Sequence, residues 1–151
     1  MSTQNTKYGD NALANNTTVG GQNSAFGFSA LQSSTAQWNT AVGAFSAAST
    51  TSGISNTSVG VNSLLQNSTG SYNTALGTAA CLKTTGNNNT AVGSNTLQEN
   101  TTGNDNTALG AFTMYSNTTG IHNTSVGYNA LFSNLDASSN VAVGFNALQA
   151  N

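Results

Sequence analysis

The stretch "NNTAVGSNTLQENTTG", Asn88 to Gly103, is followed at once by "NDNTALGAFTMYSNTTG", Asn104 to Gly120. The second is nearly the first again, and working outward from the pair shows the same unit in both directions. Gly9, Gly27, Gly43, Gly60, Gly77, Gly93, Gly110, Gly127 and Gly144 are spaced by 18, 16, 17, 17, 16, 17, 17 and 17 residues. This makes nine copies of a unit near 17 residues, covering the chain as one repeat domain, 1–151, with no evident caps. A period of this size signals a solenoid or an array, because one such unit cannot bury an apolar face alone.

The unit is too short for a helical hairpin. Glycine or Asn-Thr-Thr interrupts every potential helix after about one turn, too early for a helix to persist. In "NTAVG", Asn, Ala and Gly alternate with Thr and Val, the period of a strand. The "NAL" half supplies a second short apolar stretch, and "NTTG" has turn chemistry, with Gly expected at φ > 0. The expected fold is all-β: a parallel β-solenoid (β-roll) of nine ~17-residue coils, with two strands and two bends per coil. The absence of proline agrees, since each coil must donate N–H groups to its neighbour. Stacked about 4.8 Å apart, nine coils make a rod of about 43 Å.

Each column of the repeat carries its own expectation. The residue before the marker glycine is always apolar, so Val42, Val59, Leu76, Val92, Leu109, Val126 and Val143 are read as the core column, with Tyr8 and Phe26 above them. A second apolar column runs Leu13, Leu31, Ala47, Leu64, Cys81, Leu97, Met114, Leu131 and Leu148. The opposite strand face, Ala25, Ala41, Ser58, Ala75, Ala91, Ala108, Ser125 and Ala142, is small and flat. It is read as a subunit interface, most simply around a threefold axis. Asn39, Asn56, Asn73, Asn89, Asn106 and Asn123 belong to an unbroken column expected to form a ladder of stacked amides. The neighbouring Thr column, Thr40 to Thr124, shares the side of the core Val and is placed inward or at a corner. Thr-Thr pairs recur at Thr17, Thr50, Thr84, Thr101 and Thr118.

Composition narrows the function. Charged residues are 4% of the chain, against roughly 25% in an average soluble protein. A formal charge of −2 offers nucleic acid almost nothing to grip. No run approaches the roughly 18 apolar residues of a membrane helix, and "MSTQNTKYGDNAL" has no signal-peptide pattern. Only Asp10, Glu99, Asp105 and Asp136 are acidic, none closely paired, and His122 and Cys81 sit in different columns. No catalytic, cofactor-binding or metal-binding residue is therefore expected, and the chain is not read as an enzyme. Sequons at Asn15, Asn16, Asn56, Asn67, Asn88, Asn100, Asn117 and Asn123 follow from the repeat itself.

The consensus in "NTAVGSNTLQENTTG" and "NTSVGYNALFSN" resembles the NTAVGxxAL/NTTG repeats of tail-fibre-like proteins of bacteriophages, large viruses and bacteria, across essentially all of the chain. More distantly, "NTAVG" is similar to the head motif of YadA-like trimeric adhesins, whose coil is shorter and which form a trimeric left-handed β-roll. The resemblance implies a structural or adhesive fibre on a virion or cell surface. Expected partners are further copies of the chain, as a homotrimer or an end-to-end filament, and a cell-surface glycan or receptor. The alternative is an ice-binding solenoid that uses its Thr ladders. A Thr column exposed on a flat strand face would favour that alternative, and a buried one would sink it.

Overall fold

The computed structural model describes residues 4–16 and 21–150; Thr17 and Gly20, which belong to the repeat columns, lie outside that set. Nine three-residue strands follow one another: β1 (Thr6–Tyr8), β2 (Ser24–Phe26), β3 (Thr40–Val42), β4 (Thr57–Val59), β5 (Thr74–Leu76), β6 (Thr90–Val92), β7 (Thr107–Leu109), β8 (Thr124–Val126) and β9 (Val141–Val143). They form one parallel sheet in sequence order. Every pair keeps the repeat register: Thr90 lies beside Thr107, Ala91 beside Ala108, Val92 beside Leu109. The molecule is an all-β solenoid of about eight turns, with no helix among the described residues.

Only one strand forms per turn, not the expected two. After the marker glycine the chain runs through linked tight turns, seen as Ala12 N–H to Gly9 O, Ala14 N–H to Asn11 O and Asn16 N–H to Leu13 O at 3.2 Å each. Residues two and four positions past the glycine take φ near +50 to +60°, as in Asn95 and Leu97. This half of each turn still bonds to its neighbour, with Leu97 N–H on Thr113 O at 3.0 Å. The "NAL" stretch thus keeps the stacking of a strand while folding too tightly to be one.

The two glycine columns are required for different reasons. Gly93 has φ +137°, and a Cβ there would lie 2.6 Å from the backbone of Gly110. Among the described residues the turn glycines Gly53, Gly70, Gly86, Gly103 and Gly120 are absent from the positive-φ set, which corrects the expectation for "NTTG". Gly86 is required by proximity, since its Cβ would meet the Gly103 carbonyl oxygen at 2.1 Å.

The largest correction concerns the two faces of the strand. Ala25, Ala41, Ser58, Ala75, Ala91, Ala108, Ser125 and Ala142, read as a subunit interface, are buried inside the chain at 2% exposure or less. Val42, Leu76, Leu109 and Val143, read as core, are exposed, and Val59, Val92 and Val126 are only half-buried. Alternation was right and its phase was inverted. The reason is cross-section. The second apolar column is buried as expected from Leu13 to Leu131, while Leu148, in the last turn, is half exposed. Its Leu and Met side chains span the narrow interior and leave room only for Ala or Ser opposite.

Candidate functional site

With Ala inside, period two turns the residues on either side of it outward. Thr40, Thr57, Thr90, Thr107 and Thr124 are exposed, with Ser24 and Thr74 partly so. The Thr column therefore faces solvent and is not inward. Beside it runs the Val/Leu column, so each strand from β3 to β8 presents one hydroxyl and one apolar side chain in register with its neighbours. No charged side chain lies in either column between β2 and β9. The result is an uncharged, partly apolar stripe along the sheet.

The Asn column is buried and forms the expected ladder. Asn39 Oδ1 accepts from the Asn56 backbone N–H at 2.9 Å, Asn56 Oδ1 from Asn73 at 2.9 Å, and Asn73 Oδ1 from Asn89 at 2.9 Å. Asn89 and Asn106 continue it at 3.1 and 3.0 Å. Each Nδ2 also donates to the carbonyl at the far corner of its own turn: Asn89 to Gly103 at 2.9 Å, Asn106 to Gly120 at 2.8 Å. One side chain per turn thus ties strand start, turn glycine and next turn together. Satisfied this way, a buried amide fixes register, since any slip would orphan it.

A second amide ladder was not anticipated. Asn117 Nδ2 donates to Asn100 Oδ1 and Asn134 Nδ2 to Asn117 Oδ1, both at 2.8 Å. These are the first residues of the "NTTG" and "NLDA" turns, where Asn in the same column was the legible signal. In the same column Thr50 leaves its buried Oγ1 without a partner, so the ladder lapses there.

The few titratable groups meet at most in pairs. Cys81 is buried, and desolvation pushes its thiol up to about 12. His122 lies 3.7 Å from Asp105, both well exposed. Lys83 and Glu99 pair at 2.5 Å across adjacent turns, and that hydrogen bond holds the Glu99 carboxyl below the usual range. Among the described residues no group of three or more His, Cys, Asp or Glu could hold a metal ion. Of the sequon asparagines, Asn56, Asn67, Asn100, Asn117 and Asn123 are buried, whereas Asn15 and Asn88 are exposed. No helix of the described residues is long and apolar enough to cross a membrane.

Aromatic side chains gather on one edge of the turns that follow β7, β8 and β9. Tyr115 and Phe132 stack at 5.1 Å and 7°, Tyr128 and Phe145 at 5.7 Å and 11°. Phe112 sits between the two stacks, 6.1 Å from Tyr115 and 5.9 Å from Tyr128. Sequence reasoning passed over them because they fall in three different columns. A comparison of the chain with protein-family models, curated proteins and solved structures finds no match.

Proposed function

We propose that this solenoid is a structural or adhesive fibre segment whose copies associate side by side through the outward Thr/Val face of the sheet. The observation that carries the reading is the continuous exposure of Val42, Leu76 and Leu109, with Val59, Val92 and Val126 half-exposed between them, along an uncharged stripe. Monomeric soluble proteins rarely leave extended apolar patches uncovered, and such patches mark interaction surfaces. Like-charge repulsion between copies is negligible along it. The resemblance to tail-fibre-like repeats agrees with this reading and suggests a virion or extracellular surface. A homotrimer is the closed assembly that the resemblance to trimeric adhesin heads favours. An end-to-end filament would instead pair β1 of one copy with β9 of the next.

The test is solution mass by light scattering after gel filtration. A mass about three times the 15.2 kDa of one chain is expected. In a Val92→Lys, Leu109→Lys variant the mass should fall to that of one chain while the circular dichroism stays unchanged. A wild-type chain already at 15.2 kDa would end the side-by-side reading.

One observation favours a second reading, ice binding. The Thr column is exposed on a parallel strand face, repeating about every 4.8 Å. Against it, the companion column varies from Val through Leu to Phe26 and Tyr8, so the face is uneven where a water lattice requires equal heights. Thermal hysteresis from the monomer, lost in Thr90→Leu, Thr107→Leu, would establish this function in place of the fibre.

A further inference from the structure

The aromatic cluster after β7 and β8 contains a shallow cleft open to solvent. The position two past the marker glycine holds Phe112 in one turn and Asn129 in the next, both at φ near +55°. The flanking Tyr115–Phe132 and Tyr128–Phe145 stacks continue past both. Where Phe112 fills the space between the stacks, the shorter Asn129 does not. A cleft of about 360 Å³ remains, lined by Phe112, Tyr115, Tyr128, Asn129 and Phe132.

The fold does not ask for these aromatics. At the position after the marker glycine other turns use Ala44, Thr78 or Ser94 in place of Tyr128, and five past it Ala48, Leu82 or Gln98 in place of Phe132. Phe112 is moreover held in the left-handed region, where Asn11, Asn62 and Asn95 stand in other turns. Asn is the more tolerant residue there, and a bulky ring at such φ is strained. Phe45 shares the conformation but meets a single ring, Phe28, at 5.2 Å. Four aromatics line this one cleft, and one of them, Phe112, stands in the left-handed region where other turns place Asn.

We propose that this cleft binds a neutral hexopyranose unit of a glycan. The ring walls suit the C–H faces of a flat, six-membered sugar. The Asn129 side chain makes no hydrogen bond within the described residues, so its amide is available to donate to and accept from vicinal hydroxyls. A purely apolar ligand would cover that amide without a partner, which is unfavourable. No charged side chain lines the cleft, so an anionic sugar finds no counter-charge. A mostly aromatic cleft with one convergent polar group is the usual form of a small-ligand site. The site is built within one chain and stands whether or not copies associate.

The experiment is an NMR titration of the full chain with methyl glycosides of glucose, galactose, mannose and N-acetylglucosamine. Expected is saturable binding near about 1 mM, with shifts confined to Phe112, Tyr128, Asn129 and Phe132. Asn129→Phe should weaken it at least about tenfold by filling the cleft from the chain itself, while Asn62→Phe, the same change in an earlier turn, should leave it intact. Phe132→Leu, which copies Leu82, gives a second route should the first variant fold poorly, and it should weaken binding likewise. Binding of no glycoside, binding unaffected by these variants, or binding of indole alone would each overturn the proposal.

Discussion

The two faces of strand β6 separate the roles of polarity and size. Ala91 is completely buried, whereas Val92, larger and more apolar, is partly exposed. In a broad core the larger residue would gain more by burial. A solenoid this thin has no such space, since Leu97 comes from the opposite wall and already fills the section. The inner face is therefore restricted by volume and the outer face by little. The sequence carries the mark of this: from β2 onward the inner column holds only Ala and Ser, while the outer one ranges from Val to Phe.

That contrast is broken most forcefully by enlarging the inner face. Ala91→Leu, placed between Ala75 and Ala108 of the adjoining strands, should cost about 3 kcal/mol through overpacking, read as a lowered urea midpoint. Asn89→Ala comes next. It leaves the Asn106 backbone N–H buried without its acceptor and should cost about 2 kcal/mol. Asn89→Asp keeps the acceptor but sets a carboxylate oxygen against the Gly103 and Asn73 oxygens that the amide donates to, so at neutral pH it should cost at least as much as Asn89→Ala.

On the exterior the effects shrink. The Lys83–Glu99 pair is partly exposed and contributes roughly 0.2–1 kcal/mol. Glu99 is held below its unfolded value, so this contribution is complete above the ordinary carboxylate pKa of about 4.3. It is lost as pH falls through the lower folded value. Lys83→Gln should therefore reduce stability slightly at pH 7 and leave it unchanged in strong acid, as thermal melts at the two pH values would show. Val92→Thr should change chain stability by less than about 0.5 kcal/mol. A loss near that of Ala91→Leu would mean that the outer face is not outer.

The parts of the fold legible in the sequence were those that depend on the repeat alone. Period, parallel stacking and the Asn ladder follow from equal columns, because equivalent residues in successive turns must meet. The single strand per turn was less legible. "NAL" carries an apolar pattern compatible with a strand, and only the left-handed φ at Asn95 and Leu97 shows that it curls instead. The turn glycines were recognised, but their reason was misassigned: close approach of the next carbonyl, not backbone sign.

What the sequence by itself determined is the repeat: a parallel solenoid in register, nearly uncharged, with its amides stacked in line. Only the tertiary structure decided which way each strand faces, and the physical reason is that alternation defines two sides without naming the inner one. Closure of each turn names it, because the Leu column reaches across and admits nothing larger than Ala or Ser opposite. The aromatic cleft was likewise decided in three dimensions, since Phe112, Tyr115, Tyr128 and Phe132 occupy three columns in two successive turns and meet only when those turns stack.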